Sequence, residues 1–360
     1  MAIYLFYLVY FIIITFFYLN KKKKNRNNKK YLICAFLPLI LIAGLRSENV
    51  GIDTKQFTDA FKTIVKMDPS SFGKLRYEYG FSYLCWVLGK LSIEPKILIF
   101  STSFFINFSV ARFIYKNSEN IPFSTVLYIL CNFFFSYMNI MRQAIAIAII
   151  LWGYEYLKKN KYIRFCIFVM IASLFHGSAI LALIFIFLKK FEYNKYFIGI
   201  VFCVSIISIL FGKNLFMLFA SISPRLFNYV GGNFDKENYV AALLNFIVYL
   251  VSYIFGFICL KKSSDDIFKN KENKNNILVG IMAMTVIFSA LTMRVSLFNR
   301  FTPYFSIFMI IWLSNSVSKI KNINSRFIYI LIIILLFFLY WMIIMVFRPE
   351  WYGAVPYIFY

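Results

Sequence analysis

The sequence predicts an all-α, polytopic integral membrane protein that forms a single transmembrane domain over residues 1–360. Hydrophobic residues make up 61% of the chain, whereas soluble domains are roughly half apolar. The apolar residues fall in runs long enough to cross a bilayer. The net charge of +24 comes from short Lys and Arg clusters between these runs, the pattern of the positive-inside rule. The charge therefore indicates membrane topology, and no nucleic acid partner is expected.

The apolar runs predict about twelve transmembrane helices and one candidate re-entrant segment. The first run, residues 2–19, is too long for the apolar core of a signal peptide, and lysines follow it instead of a cleavage site. Because basic clusters face the cytoplasm, the lysines at 21–24 predict an N-terminus outside the cell. The other helices are predicted at residues 31–45, 97–115, 122–138, 143–157, 163–175, 178–188, 196–212, 239–260, 277–292, 301–315 and 327–347.

Two stretches are predicted as external loops, residues 46–78 and residues 213–238. The charges of the first stretch nearly cancel, which is typical of an exterior loop rather than of a lysine-rich cytoplasmic one. Its charged residues include Arg46, Glu48, Asp53, Asp59, Asp68, Arg76 and Glu78.

The side on which each later loop lies depends on residues 79–93. If this segment spans the membrane, residues 165–188 must form one helix, and His176 lies in the middle of the bilayer. If it is re-entrant or interfacial, His176 lies at the outer tip of a short hairpin. Only Lys90 and Lys96 then lie on the side of the membrane that the positive-inside rule disfavours. The second topology is favoured, and it gathers the unusual polar residues at the outer membrane face.

Arg142 and Gln143 interrupt a long apolar run, where a charged side chain is expensive and by default indicates function. Several arginines at an outer cavity indicate an anionic ligand, because guanidinium is permanently charged and binds phosphate oxygens in pairs. A membrane-borne pyrophosphate fits this description. The alternative is that some of these arginines only anchor helices at the headgroup layer.

Three further residues could take part in proton transfer or sugar binding. His176 is the only histidine and could relay a proton or bind phosphate, or it could simply cap a helix turn. Glu78 and Asp53 are candidate general bases or ligands for sugar hydroxyls. Alternatively, Asp53 caps a turn with Thr54, and Glu78 neutralises Arg76.

Several chemistries find no support in the sequence. The short cytoplasmic loops contain neither a Walker A loop nor a GxGxxG motif, and no DxD pair is placed to hold a metal-bound nucleotide sugar. The six cysteines lie in apolar segments without metal-binding spacing. We therefore expect neither a metal nor another cofactor, and a substrate that arrives through the membrane or from outside.

Four ordered segments resemble motifs of the EpsG family of bacterial exopolysaccharide proteins, which includes Wzy-type O-antigen and capsule polymerases. Residues 46–54 are similar to its R-x(n)-VGTDT segment, with Ile52 in place of the usual Thr. Residues 78–81 are similar to its EPGF segment, with Tyr79 in place of Pro. Its RQxxA and AxxxHx[ST] segments and a weaker R-x(3)-YF element are similar to residues 142–146, 172–178 and 300–305.

The resemblance implies a GT-C-like polymerase bundle in the bacterial inner membrane, with its active site on the outer face. Its substrate would be an undecaprenyl-pyrophosphate-linked glycan, which is transferred to the sugar hydroxyl of an incoming lipid-linked repeat unit. Membrane lipid and a chain-length regulator protein are further candidate partners.

The site residues follow from this reaction. Arginines would stabilise the departing pyrophosphate, Gln143 would orient the substrate, and Glu78 or His176 would take the proton of the acceptor hydroxyl. The expected catalytic residues are Glu78, Arg142 and His176, and the expected substrate-binding residues are Arg46, Asp53, Gln143, Arg294 and Arg300.

Two other functions stay open at this point. A flippase for lipid-linked oligosaccharides could also use arginines and a large cavity, but it should carry polar groups in both halves of the membrane. An O-antigen ligase-like transferase would share the donor and differ only in its acceptor. The clustering of polar residues at one face favours chemistry over transport.

Overall fold

The computed structural model describes residues 1–194, 196–222, 239–261 and 276–360. These residues are mostly helical and contain no β-strand; one isolated antiparallel bridge joins Arg46 and Phe359. Five of the described helices are long and apolar enough to cross a membrane, and a bent helix pair could make a sixth. The predicted all-α, polytopic membrane fold is thus confirmed, whereas the number of twelve spans stays a prediction.

The chain separates into two compact units, where the sequence predicts a single transmembrane domain. The first comprises Met1–Ile180 and Ile328–Tyr360, and the second comprises Leu181–Phe327. The helices of the first unit, numbered α1 to α9, are Ala2–Leu19, Asn28–Gly44, Thr54–Ile64, Tyr79–Gly89, Lys96–Asn117, Ile121–Leu130, Phe133–Asn139, Met141–Lys158 and Tyr162–Ser173. Further described helices are Ile184–Lys190, Phe197–Ile222, Tyr239–Lys261, Asn276–Thr292, Thr302–Ser306, Met309–Ser318 and Ile323–Phe347.

Helix α8 is the central helix of the first unit, because its sequence is apolar on every face. Nearly all of its residues from Gln143 to Leu157 are buried, and it packs against α5 and α9. A helix that is hydrophobic all round belongs inside a bundle. Small residues let its neighbours approach closely: a Cβ at Gly153 would lie 2.7 Å from the Cβ of Phe168. This packing fixes the first turn of α8, which carries Arg142.

The predicted helix over residues 122–138 is broken in the structure. Helices α6 and α7 meet at a bend of 52°. At the bend, Asn132 adopts a left-handed conformation with φ of 62°, which asparagine tolerates better than most residues. Hydropathy alone does not reveal this break, because the run is apolar on both sides of Asn132.

The segments that decide the topology are shorter than a membrane span. Helix α4 has 11 residues and is about 16 Å long, whereas the hydrocarbon core is about 30 Å thick. Helix α9 ends at Ser173, and a 3₁₀ helix begins at Gly177. Residues 165–188 are therefore not one continuous helix, and the choice between the two topologies stays a prediction. The membrane side of each loop stays a prediction.

The two stretches predicted as external loops contain helix. Residues 46–78 include α3, whose buried face carries Phe57 and Phe61, and a 3₁₀ helix at Pro69–Lys74. The helix Phe197–Ile222 extends past its predicted end, so the stretch 213–238 begins as helix. The rest of that stretch lies outside the described residues.

Residues 348–360, called the C-terminal segment below, lie along the chain that follows α2. The backbone N–H of Ser47 donates to the carbonyl of Ile358 at 2.8 Å, and Tyr360 N–H donates to the carbonyl of Leu45 at 2.9 Å. The Tyr4 hydroxyl donates to the carbonyl of Ala354 at 2.9 Å. The C-terminal segment thus ties α1 to the segment that carries Arg46.

Candidate functional site

Three distant parts of the first unit bring a cation, a carboxylate and an imidazole together. Arg142 lies in the first turn of α8, Glu78 immediately precedes α4, and His176 follows α9. One oxygen of the Glu78 carboxylate accepts from Arg142 Nη1, and the other lies 3.4 Å from His176 Nδ1, which is an ion-pair distance without a hydrogen bond. We call these three residues the Glu78 cluster. The sequence placed all three at one site, and the structure brings them together.

A glycine contact fixes the carboxylate beside α9. Gly80 N–H donates to the carbonyl of Leu174 at 2.8 Å. A Cβ at Gly80 would lie 2.7 Å from that carbonyl oxygen and 2.9 Å from its carbon, so only glycine fits without a shift of backbone. On the other side of the contact, Gly177 N–H donates to Glu78 Oε1 at 3.3 Å. The end of α9 and the start of α4 therefore dock as one piece.

Glu78 stays ionised at any physiological pH. Partial burial acts to raise the pKa of its carboxyl group, but His176 and the Arg142 guanidinium outweigh burial and lower the pKa to about 2. A carboxylate with so low a pKa is a weak base. Its chemical use is to hold the two groups that it contacts.

Aromatic rings surround the Arg142 guanidinium. Its carbon lies 5.0 Å from the ring centroid of Tyr77, 5.7 Å from that of Phe57 and 5.9 Å from that of Phe81. Ring faces attract cations, so these rings stabilise the charge. The Arg142 side chain is still 20% exposed. Arg76 lies 5.1 Å from the same Tyr77 ring and donates to its hydroxyl at 3.0 Å.

Arg46 lies inside the first unit, with 1% of its surface exposed. Its guanidinium donates to the carbonyl of Ala43, to Ser103 Oγ at 3.0 Å and to the carbonyl of Met138 at 3.0 Å. These contacts join the end of α2 to α5 and α7. The structure thus directs this arginine at two backbone carbonyls and one serine hydroxyl.

The segment that contains Asp53 is shaped by Gly51, whose φ of +99° favours glycine. Asp53 directly precedes α3 and is half-buried, and its side chain does not cap the helix. Gln143 is buried next to Arg142. Both thus lie in the first unit with the Glu78 cluster.

Asn139 is a structural residue that sequence reasoning did not single out. Its Oδ1 accepts from Ile52 N–H at 2.6 Å, and its Nδ2 donates to the carbonyl of Tyr352 at 2.8 Å. It therefore connects the Asp53 segment to the C-terminal segment. The only sign of Asn139 in the sequence is that it is a further polar residue close to Arg142 in the same apolar run. Tyr77 and Phe57 were missed as well, since aromatic residues are too common in this chain to stand out.

Arg294 and Arg300 belong to the second unit. Arg294 Nε donates to the carbonyl of Ile209, and Arg300 ends the 3₁₀ helix Ser296–Arg300. Both side chains are half-buried. Among the described residues of the whole chain, no group of three or more His, Cys, Asp or Glu side chains is placed to hold a metal ion.

Comparison with known proteins identifies the family. The profile of the EpsG family matches residues 29–359. The chain belongs to the EpsG family. The matched EpsG range contains every residue predicted for the site and nearly all of the C-terminal segment.

One curated relative of this EpsG protein is the amylovoran biosynthesis protein AmsC of Erwinia amylovora. The two sequences are 26% identical over 229 residues, which cover 60% of this chain and 60% of AmsC. No solved structure matches the chain significantly.

Proposed function

We propose that this EpsG-family protein is a polysaccharide polymerase. It transfers a growing glycan from undecaprenyl pyrophosphate to a sugar hydroxyl of an incoming lipid-linked repeat unit, at the outer face of the bacterial inner membrane. The observation that carries the proposal is the Glu78 cluster, in which a permanent cation and the only histidine share one ionised carboxylate. Membership of the EpsG family and the name of the relative AmsC support a role in polysaccharide biosynthesis.

Arg142 is the residue that binds the leaving group. When the bond between the anomeric carbon and the pyrophosphate oxygen breaks, negative charge develops on that oxygen, and a fixed cation stabilises it. Glu78 contacts the guanidinium through Nη1, and the Arg142 side chain is still 20% exposed. Guanidinium offers five N–H donors, so donors remain for the pyrophosphate.

His176 is the residue that takes the proton. Its Nδ1 faces the Glu78 carboxylate, so a proton on Nδ1 leaves Nε2 as the basic nitrogen. The acceptor hydroxyl loses its proton to Nε2 while its oxygen bonds to the anomeric carbon, and undecaprenyl pyrophosphate leaves as the anion. Glu78 holds both neighbours in place and is a positioning residue in this scheme.

The remaining predicted residues divide into two groups. Arg46 organises the site, because its donors are directed at buried oxygens between helices. Asp53, Gln143, Arg294 and Arg300 remain proposed contacts to the glycan or the lipid pyrophosphate. Asp53 and Gln143 belong to the first compact unit, and Arg294 and Arg300 belong to the second.

Deletion of the gene, followed by gel analysis of the surface polysaccharide, tests the function. A single capped repeat in place of the ladder is the expected result. Complete loss of even that repeat would indicate a flippase or a ligase-like transferase. An unchanged ladder would contradict all three functions.

A further inference from the structure

An apolar groove of about 460 Å³ runs between α2 and α5, within the size range of ligand sites. It shares no lining residue with the Glu78 cluster. Buried Leu32 and Phe36 line it together with exposed Ile33 and Leu37 on α2. The α5 side is lined by Phe104, Phe108, Ala111, Arg112 and Tyr115.

Two cations line this otherwise apolar groove, Lys29 on α2 and Arg112 on α5. The helices run antiparallel, because Gly44 at the end of α2 packs against Phe100 near the start of α5. Lys29, in the first turn of α2, and Arg112, near the end of α5, therefore lie toward the same end of the groove. Neither forms an ion pair within the described part of the chain.

The Arg112 guanidinium is held in a fixed position. Its carbon lies 3.9 Å from the ring centroid of Trp152, and Trp152 Nε1 donates to Ser109 Oγ at 2.9 Å. Phe104 and Phe108 stack along the same stripe of α5, with centroids 5.8 Å apart. Arg112 lies in the last turns of α5, where a cation reaches the headgroup region and attracts an anionic headgroup.

We propose that the groove binds one anionic glycerophospholipid. Its acyl chain lies along Phe104 and Phe108, and its phosphate lies between Lys29 and Arg112. The charge decides the class of lipid, because two unpaired cations beside an apolar channel favour a net negative headgroup over a zwitterionic one. The basic linker 20–30, predicted to face the cytoplasm, places this end in the inner leaflet.

Native mass spectrometry of the full-length protein tests the site, with phosphatidylglycerol and phosphatidylcholine supplied in equal amounts. The wild-type protein should retain phosphatidylglycerol preferentially. Lys29→Gln with Arg112→Gln should reduce that preference by about fivefold for each cation removed, the effect of roughly 1 kcal/mol per cation near an anionic lipid.

Two further variants control the experiment. Lys161→Gln with Arg164→Gln removes two exposed cations elsewhere, and Arg164 also lies over an aromatic ring, at 5.7 Å from Tyr156. That pair should keep the wild-type preference. Ala111→Trp fills the groove with both cations intact and should lower retention of both lipids.

Several results would contradict the proposed site for an anionic lipid. One is an unchanged lipid preference in the Lys29 and Arg112 variant, and another is an equal loss of preference in the Lys161 and Arg164 control. Displacement of phosphatidylglycerol by equimolar undecaprenyl phosphate would assign the groove to the carrier lipid instead. If Arg112→Gln lowers the melting temperature, Lys29→Gln alone, which changes an exposed side chain, and Ala111→Trp still decide the outcome.

Discussion

Arg142 combines two requirements that usually conflict, a stable charge in an apolar bundle and access for a ligand. The aromatic rings of Tyr77, Phe57 and Phe81 and the carboxylate of Glu78 meet the first requirement. Its exposed edge meets the second. A guanidinium suits both because it is planar, always charged and able to form hydrogen bonds on more than one side.

Replacement of Arg142 by lysine should therefore abolish long glycan chains although it keeps the charge. A single ammonium cannot engage Glu78 and a pyrophosphate in the same geometry, and loss of one such stabilising group lowers rates by about a hundredfold or more. Chain length on gels, at matched protein levels, measures the effect. Arg164→Lys, on an exposed side chain, should keep the wild-type ladder. Wild-type chain lengths in both Arg142→Lys and Arg142→Ala would refute the role.

Glu78→Gln should reveal the ion pair in the pH dependence of stability. The folded-state pKa of about 2 lies below the ordinary value of 4.5. The ionised carboxylate thus stabilises the protein fully above about pH 5, and this contribution disappears as the pH falls toward 2. The melting temperature of the wild type should exceed that of Glu78→Gln near neutrality, and the gap should narrow below about pH 4.5.

Thermal unfolding in detergent, measured at several pH values, gives this comparison. Asp59→Asn is the matched control, because the exposed pair of Asp59 with Lys62 contributes little. A gap that is independent of pH, or that widens in acid, would show that Glu78 does not form the proposed ion pair.

At the residue scale, the sequence shows the unusual residues of the Glu78 cluster more clearly than it shows the surroundings of Arg46. Arg142 interrupts an apolar run and His176 is unique, so both are visible without a structure. The burial of Arg46 depends on α5, α7 and the carbonyls that happen to lie there, and no local pattern records that environment. A charge in the sequence therefore indicates importance but not its ligand.

The contact between α4 and α9 depends on one missing side chain. Gly80→Ala should separate the two elements, because the new Cβ meets the Leu174 carbonyl, a backbone group that cannot rotate away. We expect a loss of roughly 1–3 kcal/mol of stability, as for other overpacked sites, together with shorter glycan chains. Melting temperature and gel analysis measure the two effects.

Gly177→Ala provides the control for this contact. A Cβ at Gly177 meets nothing within 4 Å, and alanine keeps the N–H that donates to Glu78. It should behave like the wild type. If Gly80→Ala were equally silent, the docking of α4 on α9 would not hold the carboxylate in position.

At the element scale, hydropathy predicted most of the long helices closely, but it missed the end of Phe197–Ile222 and the helix breaks. α1 and α5 match their predicted ranges within two residues. The break at Asn132 arises from backbone conformation, which a hydropathy pattern does not encode. Likewise, the C-terminal segment adopts its path through hydrogen bonds to residues 45–51, far away in sequence.

The C-terminal segment should be needed for the stability and the polymerase activity of the whole protein, although it carries no proposed catalytic residue. Deletion of residues 349–360 removes the hydrogen bonds to Leu45, Ser47 and Asn139, each contributing roughly 0.5–1.5 kcal/mol. We expect a lower melting temperature and loss of polymerisation. Glu350→Ala, which changes only an exposed pair with Arg348, should have little effect. Normal melting and a normal ladder from the truncated chain would contradict this role.

The hydrogen bond between Tyr4 and Ala354 also constrains how the chain is threaded through the bilayer. Two residues in contact at the first turn of α1 lie on the same side of the membrane. Each complete crossing moves the chain to the opposite side. The number of complete crossings between residues 4 and 354 is therefore even. A cysteine reporter before residue 4 and one after residue 354 should react with a membrane-impermeant label from the same side of the membrane.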